Sequence, residues 1–185
     1  MGTTLARAHQ AVGDNTEGMA PQFHWPWPWA EACLSDLAMP EKVRSAARQV
    51  LDAARDITTA TALTVGVVHG DPNADAFRLH GETPQHDGLI DWSAAMQAPV
   101  LYDLGCFAVM TWDVPEARGH FIDGYLEHSP QLAGEMKHLN VFVRLRWMCN
   151  AIYFSARIAR GIVRGAESME HNEEGLATAY EGMTS

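Results

Sequence analysis

The sequence has few cysteines, few basic residues and no long apolar run, and each shortage excludes a class of protein. The three cysteines, Cys33, Cys106 and Cys149, lie far apart and show no metal-binding spacing with the histidines. They are typical of buried thiols in a reducing compartment, which predicts a cytoplasmic protein. No apolar stretch has the length of a membrane-spanning helix, and residues 1–15 lack the apolar core of a signal peptide, so no membrane partner is expected.

The shortage of basic residues argues against nucleic acid as a partner. Lysines and arginines number 13 against 23 aspartates and glutamates, a net charge of −10, so no basic patch is available to neutralise phosphates. The negative charge mildly favours a cationic substrate, although an ordinary acidic surface is the simpler interpretation. With 185 residues, of which 47% are hydrophobic, the chain is expected to fold as one domain over residues 1–185.

The apolar pattern predicts a mostly helical protein with a little β-structure. A β-branched run at residues 63–69 predicts a strand, and residues 76–92 predict a β-hairpin. Residues 13–29 predict a loop, which Trp25, Trp27 and Trp29 attach to the domain. Apolar residues at helical spacing predict helices over residues 5–12, 40–57, 99–112, 114–128, 138–163 and 175–183.

Two aspartates stand at the ends of the short apolar runs. Asp71 follows the strand in VVHGDPNADAFRL, and Asp91 ends the returning strand of the hairpin in GLIDW. Two such carboxylates can have different roles, since one can accept the proton of an attacking hydroxyl while the other binds Mg²⁺. Phosphoryl transfer needs little beyond alignment and charge neutralisation. The alternative is that each aspartate caps a turn; we prefer turn capping for either residue alone and the catalytic interpretation for the pair.

These two motifs and the YDL that follows them resemble the aminoglycoside phosphotransferase and choline kinase group, which has a protein-kinase-like fold. The similarity runs from LARAH to the long helix that contains VRLRWMCNAIYFSARIA. It implies an α+β, mostly α-helical fold, equivalent to a kinase C-terminal lobe whose small hairpin carries the catalytic loop. Within it, the catalytic loop would be residues 67–79, the metal-binding segment residues 88–92 and the helical remainder residues 99–182.

The resemblance also implies roles for single residues, with ATP as co-substrate, Mg²⁺ as cofactor and a small-molecule hydroxyl as acceptor. Asp71 would be the catalytic base, and His69 would support its loop. Asp91 would bind the Mg²⁺ that bridges the nucleotide phosphates. Asp103, in YDL, would be a structural aspartate that ties its helix to the catalytic loop.

The catalytic loop departs from the family pattern at the second metal ligand. The family usually has asparagine five residues after the catalytic aspartate, where this chain has Ala76. An alanine methyl group cannot bind a metal, so Asp75 or Asn73 would have to replace it in the metal and nucleotide site. Asp75 is the better candidate because a carboxylate binds Mg²⁺ more strongly than an amide does, although a solvated turn residue is an equally good interpretation.

The second departure is that the family's N-terminal β-rich lobe, with its phosphate-binding lysine, is not predicted. The residues before His69 are predicted as helix, loop and helix, and Lys42, their one lysine, lies on an amphipathic helix. One hypothesis is therefore a phosphotransferase that is weak or inactive alone. A second is a truncated, non-catalytic lobe that binds a ligand, or that pairs with itself or another chain through the surface left uncovered. A third is that the coding frame begins upstream of Met1.

The residues that bind the acceptor do not form a sequence motif common to the family, so they are the least defined part of the site. Related enzymes bind cationic acceptors with acidic residues of their late helices, and this chain has an acidic segment, AESMEHNEEG, near its end. A solvated helix end is the simpler interpretation of that segment. The candidate acceptor contacts are the four glutamates of this segment, Glu167, Glu170, Glu173 and Glu174.

Overall fold

A computed structural model of the chain describes residues 1–81, 83, 86–165 and 168–185, and the expected mostly helical fold is confirmed. The described residues form seven α-helices and four short strands. In chain order these are α1 (Gly2–Val12), α2 (Pro28–Asp36), α3 (Glu41–Thr61), β1 (Val65–Val68), β2 (Phe77–Arg78), β3 (Gly88–Leu89), β4 (Met96–Pro99), α4 (Leu101–Met110), α5 (Pro115–His128), α6 (Leu139–Ala159) and α7 (Met169–Thr184).

The strands pair into two antiparallel two-stranded sheets. The predicted hairpin is present as β2 and β3, with Phe77 opposite Leu89. The predicted strand at residues 63–69 is β1, but its partner is β4, which the sequence pattern does not predict, with Val65 opposite Pro99. The run that forms β4 is short and ends in a proline, so its sequence lacks a clear strand signal.

The predicted loop at residues 13–29 is correct except at its end, because α2 already begins at Pro28. Proline is favourable in the first turn of a helix, where its missing N–H group is not needed. The expected attachment by tryptophan is present: Trp27 is fully buried, and its indole N–H donates to the Gln97 carbonyl at 2.7 Å. The Trp27 ring also meets the edge of Tyr102 at a centroid distance of 5.0 Å.

The core is built around α6, which packs against α3, α4 and α7. Leu145 and Met148 of this helix are fully buried, while Val141 and Ile158 are only half-buried. Helices α4 and α6 approach closely at Gly105, where an added Cβ would lie 2.7 Å from the Phe142 carbonyl oxygen.

In the part of the chain that the structure describes, none of the helices has both the length and the apolar character needed to cross a lipid bilayer.

A buried carboxylate joins α4 to the loop after β1. Asp103 is completely buried, and its Oδ2 and Oδ1 accept hydrogen bonds from the backbone N–H groups of His69 and Gly70 at 2.7 and 2.9 Å. Both donors belong to the loop that leads to Asp71. Hydrogen bonds to an ionised acceptor are about twice as strong as neutral ones, so Asp103 fixes the backbone of this loop against the helical core.

The same carboxylate also connects to α1 and α5. The His9 Nε2 atom lies 3.0 Å from Asp103 Oδ2, and since a carboxylate only accepts, Nε2 carries the proton and donates. The His9 Nδ1 atom lies 2.9 Å from the Tyr125 hydroxyl. Burial, helped by the nearby Asp103 charge, raises the pKa of Tyr125, so this hydroxyl keeps its proton. Helices α1 and α4 and the loop therefore meet at the Asp103 carboxylate, and α5 is connected to it through His9.

We expect Asp103→Asn to lower the free energy of unfolding by about 1–3 kcal/mol, because its amide cannot accept all three hydrogen bonds and leaves a buried donor unpaired. Urea unfolding measures this change. Hydrogen exchange at the His69 and Gly70 amides should accelerate in the same variant. Asp56→Asn, which changes an exposed aspartate of α3, is the control and should stay within about 0.5 kcal/mol of the unchanged protein. Equal stability of the two variants would contradict this role of Asp103.

Candidate active site

The loop after β1 turns sharply at Gly70, against the segment that follows Asp91. Gly70 has φ +84°, in the left-handed region that favours glycine. A Cβ there would lie 2.1 Å from the Ala94 carbonyl oxygen, so any side chain would separate the two segments. The glycine of the HGD motif therefore sets how closely the Asp71 loop approaches the Asp91 segment.

His69 connects the two segments through its side chain. Its Nε2 lies 2.8 Å from the Ile90 carbonyl and its Nδ1 lies 3.3 Å from the Asp71 backbone nitrogen. A carbonyl only accepts and a backbone N–H only donates, so the proton sits on Nε2 and Nδ1 accepts. The ring also packs against Trp92 at a centroid distance of 4.9 Å. His69 thus holds the residue before Asp91 next to the backbone of Asp71.

Asp71 projects from this loop towards α6, with 45% of its side chain exposed. Its Oδ1 accepts a hydrogen bond from Arg146 Nη2 at 2.7 Å, and Arg146 Nη1 donates to the Gly70 carbonyl at 3.2 Å. No described residue donates to the second carboxylate oxygen, Oδ2. One carboxylate oxygen of Asp71 is therefore bonded to Arg146, and the other faces the adjacent open space.

Asp91 is exposed and has a left-handed backbone, with φ +62° and ψ +60°. Aspartate is among the few residues that adopt this conformation without large strain. Its Oδ1 accepts a hydrogen bond from the Ser93 hydroxyl at 2.7 Å, which fixes the carboxylate at the start of the turn Trp92–Ala94. The left-handed turn follows β3 and leads to Ala94, whose carbonyl lies against Gly70.

Asp71 and Asp91 line one cleft. The cleft has a volume of about 390 Å³. Three carboxylates, from Asp71, Asp75 and Asp91, contribute to its walls together with the Arg78 guanidinium. The remaining lining residues are Asn73, Ala76, Ile90, Ser93 and Ala94.

The geometry of the turn that contains Asp75 distinguishes between Asp75 and Asn73 as candidates for the second metal ligand. Asn73 caps this turn, because its Oδ1 accepts a hydrogen bond from the Ala76 N–H at 3.1 Å. Its amide oxygen is therefore already engaged. Asp75 is exposed, and its carboxylate accepts no hydrogen bond from a described residue. Of the two candidates, Asp75 has the oxygens available to a cation.

The donor set of the cleft fits a hard divalent cation. Mg²⁺ prefers oxygen ligands and keeps several waters, and it is usually bound by one or two carboxylates together with substrate phosphates. Asp91 and Asp75 are such carboxylates on one cleft. Within the described ranges no group of three or more histidines, cysteines, aspartates or glutamates is arranged to hold a metal.

Two further cavities open on the other side of Asp71, against α6. One has a volume of about 380 Å³ and the other about 340 Å³, and both are lined by Asp71, Arg146 and Asn150. Cys149 lines the first of them. Burial raises the pKa of the Cys149 thiol to about 11, so at neutral pH it is protonated and not a nucleophile. Asp71 is the one described residue that lines both of these cavities and also the cleft.

The glutamates proposed as acceptor contacts lie elsewhere or outside the described residues. Glu170, Glu173 and Glu174 are exposed on α7 and line none of the three cavities that contain Asp71. Glu167 lies outside the described residues. Their role in acceptor binding stays a prediction.

Sequence reasoning missed Arg146, His9 and the close approach at Gly70. The signal for Arg146 is present in VRLRWMCNA, where arginines interrupt an otherwise apolar stretch of a long helix. A charged residue that is largely buried is usually paired, so such an arginine calls for an acidic partner. The sequence does not identify that partner, because Asp71 is 75 positions away.

Two solved structures share this fold at low sequence identity. A choline/ethanolamine kinase family protein from Mesorhizobium loti aligns with 100% of the chain at a TM-score of 0.67 and 14% identity. An amicoumacin kinase, hAmiN, solved in complex with AMP-PNP, Ca²⁺ and Ami, aligns with 98% of it at a TM-score of 0.64 and 16% identity. The chain spans 62% and 56% of the lengths of these two proteins.

The family model gives a match at the level of sequence. No curated protein matches the chain. The model of the phosphotransferase enzyme family, APH, matches residues 1–136, which include α1, the Asp71 loop, Asp91 and Asp103. The chain therefore belongs to the phosphotransferase enzyme family.

Proposed function

We propose that this chain transfers the γ-phosphoryl group of ATP to a hydroxyl group of a small molecule. The observation that carries the proposal is that the partly exposed Asp71 and the exposed Asp91, on two separate segments, line one cleft. A loose phosphoryl-transfer transition state needs positioning and charge neutralisation more than covalent help from the protein. The cleft supplies acidic oxygens for a cation and Arg78 as a positive charge beside the phosphates.

In the proposed reaction the acceptor oxygen forms a bond to the γ-phosphorus. The bond between that phosphorus and the bridging oxygen of ATP breaks, and its electron pair leaves with ADP. The acceptor hydroxyl loses its proton to Asp71, which accepts it on the carboxylate oxygen that faces away from Arg146. Asp71 thus orients the hydroxyl and takes up its proton as the O–P bond forms.

A bound Mg²⁺ would be held by Asp91, with Asp75 as the second carboxylate, and would neutralise phosphate charge and align the transferred group. The Ser93 hydroxyl fixes the Asp91 carboxylate, so Asp91 needs little reorganisation to act as a ligand. Asn73 would keep the turn of Asp75 in place. In this arrangement Asp75 takes the role that Ala76 cannot perform.

A non-catalytic lobe is the second candidate function. The observation in its favour is Ala76, whose methyl group cannot bind a metal at the position where the family usually has asparagine. The two functions differ in a measurable way. A phosphotransferase must bind Mg·ATP through its acidic cleft, while a lobe that only binds a partner has no need of these carboxylates.

We expect Asp71→Asn to lower phosphoryl transfer by about 10²- to 10⁴-fold, because the amide has no capacity to accept the hydroxyl proton. Single-turnover transfer from radiolabelled Mg·ATP to a panel of aminoglycosides, amino alcohols and sugars measures the rate. Asp56→Asn, an exposed substitution on α3 outside the three cavities around Asp71, is the control for the change in charge. A rate for Asp71→Asn equal to that of Asp56→Asn would contradict the role of Asp71.

We also expect Asp91→Asn to weaken Mg·ATP binding about tenfold or more, which corresponds to ~1.4 kcal/mol. The reason is that an amide binds Mg²⁺ less strongly than a carboxylate. Titration calorimetry with and without Mg²⁺ measures the effect. The difference between the variant and the unchanged protein should disappear when EDTA removes the cation. Binding that does not depend on Asp91 or Mg²⁺, or no binding at all, would favour the non-catalytic lobe.

A further inference from the structure

We infer that Arg146 is a positioning residue, which holds the Asp71 carboxylate so that one oxygen is directed to the acceptor hydroxyl. The inference rests on the proposed function, because it assigns Arg146 a role in the step that Asp71 would perform. Neither the APH match, which ends at residue 136, nor the motifs around the two aspartates include this arginine.

The geometry of Arg146 is that of a fork that holds the loop at two points. Its Nη1 donates to the Gly70 carbonyl at 3.2 Å and its Nη2 donates to Asp71 Oδ1 at 2.7 Å. One planar group therefore restrains both the backbone before Asp71 and the Asp71 side chain. A lysine ammonium is a compact charge without this planar pair of donors.

The environment of Arg146 keeps this fork in place. Its side chain is 21% exposed, compared with 45% for Asp71, and it extends from the middle of α6, the helix at the centre of the core. The guanidinium has no acidic partner other than Asp71 among the described residues. Arg146 thus connects the Asp71 carboxylate to α6, and through α6 to the core.

This pairing leaves Asp71 with one oxygen for chemistry. Oδ1 is occupied by Arg146, and Oδ2 has no donor among the residues that the structure describes. Arg146 and Asp71 also line both cavities on the α6 side. An acceptor that enters from this side meets a carboxylate whose orientation is already fixed, and such preorganisation is worth much of the rate in a positioned reaction.

The competing explanation is that Arg146 and Asp71 form an ordinary structural ion pair. The two explanations differ in whether loss of the pair changes the stability of the fold or the rate of phosphoryl transfer. A pair in which one partner is nearly half exposed contributes little to stability. A structural role would therefore change stability slightly and leave the chemical step unchanged. A positioning role changes the rate of transfer, with the affinity for Mg·ATP unchanged.

The first test is chemical rescue of Arg146→Ala. We expect kcat for phosphoryl transfer to fall about 100-fold, the loss that a small misplacement of a catalytic group causes, while KM for ATP stays within about twofold. Added ethylguanidinium should restore kcat at least tenfold, because it supplies the missing planar donor pair. Ethylammonium, of the same charge, should not. An unchanged kcat, or restoration by both compounds alike, would overturn the inference.

Arg144→Ala is the matched control on the same helix. Arg144 is also half-buried in α6, and its Nε donates to the Met183 carbonyl at 2.6 Å, with no contact to Asp71. This variant should lose some stability, keep its kcat and show no response to ethylguanidinium. A response equal to that of Arg146→Ala would show that the rescue is unspecific and would overturn the inference.

A second test needs no turnover, so it separates this inference from the proposed function. Crystal structures of the unchanged protein and of Arg146→Ala, with and without ethylguanidinium, locate the Asp71 carboxylate directly. We expect it to leave its position in Arg146→Ala and to return when ethylguanidinium is bound. A carboxylate that keeps its position without Arg146 would refute the inference, whereas an unchanged protein without transfer activity would refute only the proposed function.

Discussion

The hydrogen bonds of the buried Asp103 carboxylate are the constraint on which the site depends. Asp103 accepts from two consecutive backbone N–H groups of the loop after β1 and from His9 of α1. A buried charge is costly unless it is paired and hydrogen-bonded, so the loop conformation that supplies these donors is strongly preferred over others. The position of Asp71 follows, because it is the next residue of that loop.

Asp71 and Asp91 are brought to one cleft by contacts between segments that are not neighbours in sequence. Gly70 permits backbone contact with the Ala94 carbonyl, and His69 bonds to the Ile90 carbonyl. Arg146 then fixes the carboxylate of Asp71 from the side of α6. Each element of the site is thus held by the core, which is what a reaction that depends on alignment and charge requires.

The helices and the hairpin were predictable because their signals are local. Apolar spacing places α3, α5 and α6 close to their observed ranges, and alternation places the hairpin at β2 and β3. Strand β4 was not predictable, because its short sequence forms a strand only through pairing with β1. The Arg146 contact was not predictable either, since a charge in an apolar helix indicates a partner without naming it. The roles of Asp71 and Asp91 followed from the order of the motifs and stay predictions. The choice between Asn73 and Asp75 as a second ligand needs the geometry of the turn, in which the Asn73 side-chain oxygen accepts the Ala76 N–H.

The proposed function requires the acidic cleft to bind a divalent cation together with the nucleotide phosphates. The most direct measurement is paramagnetic broadening of the amide resonances by Mn·ATP, because this effect falls steeply with distance from the metal. Strong broadening is expected at Asp75, Ile90 and Ser93, which line the cleft, and unchanged resonances are expected at Lys42, which lies beside Tyr180 where α3 packs against α7. Broadening that is absent from the cleft, or no larger there than at Lys42, would contradict cation binding in the cleft.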